Sequence, residues 1–508
     1  MIGYKVWAIA SLIIYFGVLL ILSLNKKGNK SNEDFFLAGR SFPHWALALT
    51  FVASWFGGTS ALVSIDQAFE EGISAWWIIG SPSVLAAIVL IFFAKFIRNV
   101  GSISQRDIME KRYSKTAGFL VSIIVIWYMI TFASSQTVAL GKFFSTMFGT
   151  SYLTAILIGV AIVAIYASIG GFRAVVLTDI AQFFLFTLGL IITTVVAFQY
   201  SGGLDNILAV TQQPGKENYL NFFANFKQNF FYMLSFGMAW IISADAWQRI
   251  SATKNVKEAK MMPFGGFLIF IPLYILVAII GIAAGAIYTS LPEGGIVAAL
   301  TLDYLHPFLG MVVFLGIASA IMSTMSTAIN SGALYASDFY TRYINPNADG
   351  KKMVQIGIIS TLLISLIASI VALRIPDTLW VLWLSSDILA VGVVTPLLAS
   401  FLWRRGTSIG AVTSIIVGSS FVLYNFLIDL GFKLPLFWPN GTERILIGIG
   451  LSLFTFVIVS LLTKPEYDKA DQLMTAARVD DMSTEANFVS IPEGVLAETE
   501  SASSLEKK

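Results

Sequence analysis

Residues Thr50-Phe-Val-Ala-Ser-Trp-Phe-Gly-Gly-Thr-Ser-Ala61 interrupt an apolar segment with a glycine pair flanked by hydroxyl side chains. Such a stretch is a poor helix former, so the chain can unwind at Gly57 and Gly58 at modest cost. Unwinding frees backbone carbonyls, which inside a membrane must be satisfied by protein, water or an ion. A helix interrupted near the bilayer midplane is typical of a binding site in a membrane carrier.

The composition of the whole chain is that of a polytopic membrane protein. Of the 508 residues, 56% are hydrophobic and 12% are charged, and the mean hydropathy is +0.78. Soluble domains carry about 25% charged residues, so this chain has too little charge to solvate the surface of a globule. The composition excludes a soluble enzyme, a disordered protein and a nucleic-acid-binding protein. The absence of cysteine excludes disulfides and thiolate metal sites.

Apolar segments long enough to cross a bilayer as helices, about 20 residues each, recur along the chain. We predict thirteen such spans, at 4–24, 43–70, 76–98, 117–147, 152–170, 179–200, 228–249, 262–289, 303–335, 353–373, 377–403, 407–430 and 443–463.

The basic residues predict the orientation of the chain. Before the C-terminal tail, twenty lysines and arginines, among them Arg249, fall in one set of alternate loops, and seven fall in the other set. Because cytoplasmic loops are rich in Lys and Arg, the N-terminus is expected outside and the tail inside, across a plasma (bacterial inner) membrane. The acidic tail, 464–508, is expected to be disordered or loosely attached, with a short amphipathic helix near 468–477 as the alternative.

Two further segments carry polar groups inside apolar surroundings. In the ninth span, Ser319, Ser323, Ser326 and Asn330 recur at helical spacing. Hydroxyls and carbonyls suit a hard monovalent cation such as Na⁺, although small hydroxyl residues also let helices pack closely. Asp179, which follows a Gly-Gly turn, is either the N-cap of a helix or a charge beside an ion path.

Together, three blocks resemble the sodium:solute symporter family. They are Phe36-Leu-Ala-Gly-Arg-Ser41, Gly170-Gly-Phe-Arg-Ala-Val-Val-Leu-Thr-Asp179, and Met322-Ser-Thr-Met-Ser326 through Ser337-Asp-Phe-Tyr340. The resemblance implies an all-α LeuT-like fold with two inverted five-helix repeats, one additional N-terminal helix and two additional C-terminal helices. The implied divisions are 1–42 (N-terminal helix and cytoplasmic loop), 43–403 (transport core, with repeats 43–200 and 228–403), 404–463 (two C-terminal helices) and 464–508 (cytoplasmic tail).

The resemblance also implies a sodium site. Its ligands would be the carbonyls of Ala53, Phe56 and Ala320 and the hydroxyls of Ser323 and Thr324. Some members of the family bind a second sodium ion through positions that Asp179, Ser326 and Thr327 occupy here. The alternative is that Asp179 is an exit gate that steers released sodium towards Arg173. No cofactor is expected, and Na⁺ is the coupling ion.

The substrate is expected between the unwound part of span two and spans three, four, seven and eleven. The predicted lining residues are Ser54, Trp55, Gln67, Trp76, Trp77, Phe132, Gln136, Trp240, Ser243, Asp245 and Trp247. Asp245 is costly in an apolar span, so it is expected to face a cavity or a partner. Ala53-Ser-Trp-Phe-Gly-Gly58 and Leu382-Trp-Leu-Ser-Ser-Asp387 resemble the choline carriers, and aromatic rings attract quaternary ammonium groups. Phe132 and Ser243, however, stand where choline carriers have tryptophan.

These features predict a sodium-coupled secondary active symporter, not an enzyme, that imports a small polar organic solute by alternating access. A cationic or zwitterionic solute, such as an amino acid or a choline-like amine, is favoured. The expected partners are the solute, Na⁺ and the bilayer, without nucleic acid, and a monomer would suffice. The alternatives are a proton-coupled carrier of the same fold, for which Ser323 and Thr324 offer no titratable relay, and a non-transporting membrane sensor.

Overall fold

The computed structural model describes residues 2–24, 37–101, 104–347, 350–439 and 441–478, and these residues form helices and no strand. The helices are α1 (Ile2–Ser23), α2 (His44–Trp55), α3 (Ser64–Glu71), α4 (Gly80–Val100), α5 (Gln105–Arg112), α6 (Lys115–Phe148), α7 (Tyr152–Ile169), α8 (Gly171–Tyr200), α9 (Leu204–Ala209), α10 (Phe226–Ile241), α11 (Ala244–Ser251), α12 (Val256–Ala284), α13 (Ile296–Tyr304), α14 (Pro307–Phe339), α15 (Gly350–Arg374), α16 (Thr378–Gly392), α17 (Val394–Leu402), α18 (Ser408–Asp429), α19 (Arg444–Leu462) and α20 (Tyr467–Arg478). Short 3₁₀ turns cover Ala38–Arg40, Gly72–Trp77 and Val210–Gln212, and π-helical turns cover Thr59–Val63 and Tyr340–Ile344.

In the described part of the chain, ten helical stretches are long and apolar enough to cross a membrane. The pair α16 and α17, bent by 42°, makes an eleventh. One of the ten, Thr59–Val100, contains Gly72, whose φ of +73° lies outside the helical region. The apolar part of α1, Ile9–Ser23, is shorter than a full span. The number thirteen therefore stays a prediction.

The hydroxyl-rich helix α14 is the centre of the molecule. It packs against α8, α6 and α15, and it is buried almost continuously from Val313 to Tyr335. Ser319, the first hydroxyl of the stripe, donates to the phenolic oxygen of Tyr15 on α1 across 3.0 Å. The stripe therefore faces protein rather than lipid, as polar side chains in a bilayer must.

The predicted break in the second span lies between α2 and the π-helical turn that begins at Thr59. Phe56 leaves the helical region with φ −85° and ψ 67°. The amide of Gly57 donates to Trp55 O (3.0 Å) instead of continuing the helical pattern to Ala53 O. The amide of Gly58 is held from outside the helix by Gln136 Oε1 on α6, at 2.7 Å.

A second break, which we did not predict, divides the seventh span into α10 and α11. Ile242 has φ −112° and ψ 18°, and Ser243 has φ −67° and ψ 139°. Ser243 followed by Asp245 in the first turn is a helix-start signal inside an apolar run. Spans two and seven are the first helices of the two repeats that the family resemblance implies, so the two breaks fall at corresponding places in that predicted division.

Two other expectations differ from the structure. Asp179 is not a helix N-cap: the Gly-Gly turn is present at Gly171 (φ +60°), but α8 begins there and Asp179 lies two turns inside it. The start of the tail is not disordered or loosely attached, because α20 packs against α4, α5 and α17. Residues 479–508 of the tail, and most of the predicted loop between α1 and α2, lie outside the described residues.

Candidate functional site

The first part of the candidate sodium site joins α2 to α14. Thr324 Oγ1 donates to Ala53 O across 3.2 Å, so one predicted hydroxyl ligand and one predicted carbonyl ligand are in direct contact. The break frees this carbonyl, because the Gly57 amide bonds elsewhere. Phe56 and Ala320, the other predicted carbonyl ligands, are fully buried on the same two elements.

Glycine is required where these elements meet. A Cβ atom at Gly57 would lie 2.4 Å from Gln136 Oε1 and 2.5 Å from Thr324 Oγ1. Both distances are far inside van der Waals contact, so any larger residue would push the broken helix away from α6 and α14. The glycine pair thus serves close approach as well as unwinding.

Ser323, the remaining predicted ligand, points to α8. Its hydroxyl donates to Asp179 Oδ1 across 2.6 Å, and the hydroxyl of Thr50 on α2 donates to Asp179 Oδ2. All three side chains are fully buried. The carboxylate therefore fixes the Ser323 proton and leaves the lone pairs of that oxygen for another donor or a cation.

Arg249 completes this cluster, contrary to its assignment to a basic loop. It is fully buried on α11, and its Nη2 lies 3.0 Å from Asp179 Oδ2. The same nitrogen donates to Thr327 Oγ1 (3.1 Å) and to Thr50 Oγ1 (3.0 Å). Arg173, towards which the exit-gate alternative directs released sodium, lies near Ser41 and over the ring of Phe42.

The predicted second sodium ligands are therefore already engaged. Asp179 and Thr327 bind Arg249, and Ser326 donates to Ser323 O within its own helix, at 3.0 Å. A second sodium ion at these groups stays a prediction, as does the exit-gate alternative.

Asp245, at the start of α11, forms a second buried acidic centre. Its Oδ2 accepts from Trp55 Nε1 (2.8 Å) and from Ser54 Oγ (3.3 Å), both on the broken helix. Its Oδ1 is buried and has no hydrogen-bond partner among the described residues. This is an unusual state for a carboxylate inside a membrane protein, since a buried charge is costly unless it is paired.

Aromatic rings and further unpartnered polar atoms surround this carboxylate. The rings of Trp55 and Trp240 lie 5.3 Å apart, and Trp240 stacks on Phe236 at 5.6 Å. In the described chain, Trp240 Nε1, Ser243 Oγ and the hydroxyl of Tyr128 are buried without a partner. Phe132 stacks on Tyr128 at 5.8 Å. Tyr128 is close enough to Asp245 for the two groups to interact electrostatically. Several hydrogen-bond donors without a partner, close to a carboxylate oxygen without a partner, are typical of a ligand-binding site.

Other predicted lining residues have structural contacts instead. Gln136 holds the Gly58 amide, and Trp247 Nε1 donates to Ile241 O at 2.8 Å. Trp76 and Trp77 pack in a separate aromatic cluster with Phe222. Gln67 is half-buried on α3. None of these five contacts Asp245 through a hydrogen bond or ring contact in the described structure.

Sequence reasoning missed Thr50, Arg249 and Tyr128. Arg249 follows Asp245 by four residues, one helical turn, which signals that it belongs to the same buried face. Thr50 precedes Ser54 by the same interval. Tyr128 had no distinguishing signal, because it is one of several aromatic residues in an apolar helix.

Comparison with known proteins finds one family model and several relatives that match most of this chain. The profile of the Sodium:solute symporter family matches residues 35–418. The Sodium/glucose cotransporter of Vibrio parahaemolyticus is 30% identical in an alignment of 460 positions that covers 81% of this chain and 82% of that protein. High-affinity choline transporter 1 of Drosophila melanogaster is 22% identical, over 98% of this chain and 87% of that protein.

The fold is also found in a solved structure. A Na⁺-coupled sialic acid symporter in a substrate-bound outward-open state superposes with a TM-score of 0.76 at 19% identity, covering 90% of this chain and 98% of that one. The predicted all-helical LeuT-like fold is thereby confirmed.

Proposed function

The chain belongs to the sodium:solute symporter family, and from that premise we propose that it couples Na⁺ entry to the import of a small organic cation or zwitterion. It is a multi-pass membrane transporter and not an enzyme. The observation that carries the choice of solute is the unpartnered Oδ1 of Asp245 among aromatic rings.

The sodium ion would bind where α2 and α14 meet. Ala53 O and Thr324 Oγ1 already contact each other, and Ser323 Oγ has its proton committed to Asp179. Carbonyl and hydroxyl oxygens are the ligands that a hard monovalent cation prefers. Phe56 O and Ala320 O would complete the set.

The solute would present a positive group to Asp245. Trp55 and Ser54 satisfy Oδ2 and leave Oδ1 for the ligand. An ammonium group there would gain a charged partner and the faces of Trp55 and Trp240, an attraction worth about 2 kcal/mol when desolvated. The hydroxyls of Ser243 and Tyr128, which have no partner, could donate hydrogen bonds to the carboxylate or hydroxyl of such a molecule.

The two ligands would share one short segment of backbone. Ala53 and Phe56 contribute carbonyls to the ion, whereas Ser54 and Trp55, between them, contribute side chains to Asp245. Sodium that orders this segment therefore also positions the solute site, which is a coupling through a common conformation. One charge moving inward at a potential of 100 mV releases about 2.3 kcal/mol, and the sodium gradient adds to this.

We also propose an N-terminus outside, a cytoplasmic tail, and function as a monomer. The basic residues Arg98, Arg404 and Arg405 on alternate connections support this orientation.

The test is a thermal-shift screen of the purified protein against amino acids, sugars, carboxylates and quaternary amines, each in Na⁺ and in K⁺. We expect sodium-dependent stabilisation by an amine or an amino acid. Sugars or carboxylates as the only ligands would contradict the solute class. Uptake into proteoliposomes should then follow a sodium gradient at fixed pH. Uptake driven by a proton gradient without sodium would favour the proton-coupled alternative, and binding without accumulation would favour a sensor.

A further inference from the structure

Arg249 is a cation built into the candidate ion site. Its guanidinium is fully buried, 3.0 Å from Asp179, and the same group donates to Thr50 and Thr327. The carboxylate of Asp179 in turn accepts the proton of Ser323, a predicted sodium ligand. A chain of direct contacts therefore runs from Arg249 through Asp179 to the sodium site.

The cluster is electrically balanced as it stands. The Asp179 carboxylate and the Arg249 guanidinium, both inaccessible to water, neutralise each other, and the buried carboxylate on α11, Asp245, binds Trp55 and Ser54 instead of joining the pair. A sodium ion that enters beside them makes the cluster net positive in a medium of low dielectric, and such an unpaired buried charge is strongly unfavourable. A sodium ion at Asp179 and the Arg249 guanidinium at Asp179 therefore weaken each other's binding.

We propose that Arg249 is a tethered cation that competes with sodium for Asp179 and thereby weakens sodium binding. This inference rests on the proposed sodium-coupled function. When the ion occupies Ser323 and Asp179, the guanidinium is displaced; when the guanidinium returns, it drives the ion away. Arg249 is a positioning residue, because it acts on the ion through Asp179.

The solute site is linked to the Arg249 guanidinium through α11. Asp245 lies one helical turn before Arg249 on α11, and Arg249 Nη1 donates to Asp245 O at 3.2 Å. A solute that binds the Asp245 side chain and orders the start of α11 therefore biases where the guanidinium lies. This gives the solute a physical route to the affinity for sodium, through one short helix.

The test is a sodium titration of the purified full-length protein by thermal shift, without solute and with K⁺ replacing Na⁺ to keep ionic strength constant. Removing a competitor should lower the sodium concentration for half-maximal stabilisation about tenfold in Arg249→Gln, within the usual range for coupled sites. Arg249→Lys should give an intermediate value, because the compact ammonium keeps the charge but lacks the planar fork that reaches Asp179, Thr50 and Thr327 together. In an Asp179→Asn background, Arg249→Gln should have no further effect on the sodium midpoint.

The matched control is Arg112→Gln. Arg112 is the other fully buried arginine in the described chain, and it donates to the carbonyls of Trp403, Arg404 and Gly406, away from Asp179. It should lower the melting temperature without moving the sodium midpoint. An unchanged or higher midpoint in both Arg249 variants would overturn the inference. A wild-type protein that does not respond to sodium would instead contradict the proposed function.

Discussion

Ser323 on α14 donates its hydroxyl proton to Asp179 on α8 across 2.6 Å, with both side chains fully buried. A hydroxyl whose proton is held by a carboxylate carries more negative charge on its oxygen and turns its lone pairs away from that carboxylate. Asp179 therefore prepares Ser323 to bind a cation, even where it does not touch the ion itself.

The first prediction concerns the hydroxyl ligands. Ser323→Ala and Thr324→Ala should each raise the sodium concentration for half-maximal uptake at least tenfold, because each removes one oxygen from a small ligand set. The measurement is solute uptake into proteoliposomes over a series of external sodium concentrations. Ser331→Ala is the matched control: Ser331 is buried on the same helix and donates to Gln248 Oε1 at 3.3 Å, so its removal should change the sodium requirement much less. Unchanged sodium dependence in both ligand variants would refute the site.

The second prediction concerns the close approach at Gly57. Gly57→Ala places a methyl group 2.4 Å from Gln136 Oε1 and 2.5 Å from Thr324 Oγ1, so the broken helix must move. Overpacking of this kind costs about 1–3 kcal/mol. We expect a lower melting temperature and loss of sodium-dependent stabilisation, both measured by thermal shift.

Gly450→Ala on α19 provides the comparison for Gly57→Ala, since a Cβ at Gly450 meets no atom within 4 Å. That change should leave sodium binding intact and keep or slightly raise the melting temperature, because alanine favours a helix. If Gly57→Ala behaved like Gly450→Ala, the break would not be packed as described.

The third prediction separates the two contributions of Trp55. Trp55→Phe keeps a ring but loses the indole N–H that donates to Asp245, a hydrogen bond to a charged group worth about 1.5–3 kcal/mol. Trp55→Ala loses the ring as well. The affinity for a cationic solute, measured by isothermal titration in Na⁺, should therefore fall about tenfold in the first variant and further in the second. Asp245→Asn should abolish binding.

Trp76→Phe is the control for the substitutions of Trp55, because Trp76 packs in the separate aromatic cluster with Trp77 and Phe222. Its affinity for the solute should stay near that of the wild type. A larger loss of solute affinity in Trp76→Phe than in Trp55→Ala would place the solute at the Trp76 cluster and contradict the role of Asp245.

The broken second span and the hydroxyl stripe could be predicted from the sequence because each depends on neighbours in the chain. Gly57 and Gly58 weaken a helix wherever they occur, and serines at helical spacing lie on one face of any helix. The contact between Thr324 and Ala53 followed only from the family resemblance, since 271 positions separate the two residues.

The role of Arg249 could not be predicted in the same way. An arginine near the end of an apolar run satisfies the rule for cytoplasmic loops equally well whether it is exposed or buried. Only the tertiary structure brings it to Asp179, 70 positions earlier in the chain. The lack of a partner for Asp245 Oδ1 also depends on packing, because the sequence does not reveal which carboxylates lack hydrogen-bond partners.

The last prediction concerns the attachment of α20. Its buried face consists of Ala470, Leu473, Met474 and Ala477, and Arg404 forms an exposed ion pair with Asp471 at 2.5 Å. Exposed pairs contribute about 0–1 kcal/mol, so the apolar face should dominate. Leu473→Asp buries an unpaired charge and should detach α20, whereas Arg404→Gln should have little effect.

Because the chain has no cysteine, a pair introduced as Asn99→Cys and Ala476→Cys, an exposed position next to Ala477, reports docking through a short bis-maleimide cross-linker. The Asn99 amide lies 3.1 Å from Ala477 O, so cross-linking should be efficient unless Leu473→Asp is present. Gln472→Asp adds the same charge on the exposed side of α20 and should leave cross-linking unchanged.

The hydrogen bond from Arg404 lowers the pKa of Asp471, so the pair is fully formed above the ordinary carboxyl pKa and is lost as pH falls through the lowered value. Because maleimide reacts with the thiolate, each reaction is run to completion. The final yield of cross-linked protein should then not vary with pH near neutrality, and a sharp loss there would mean that a different titrating group holds α20.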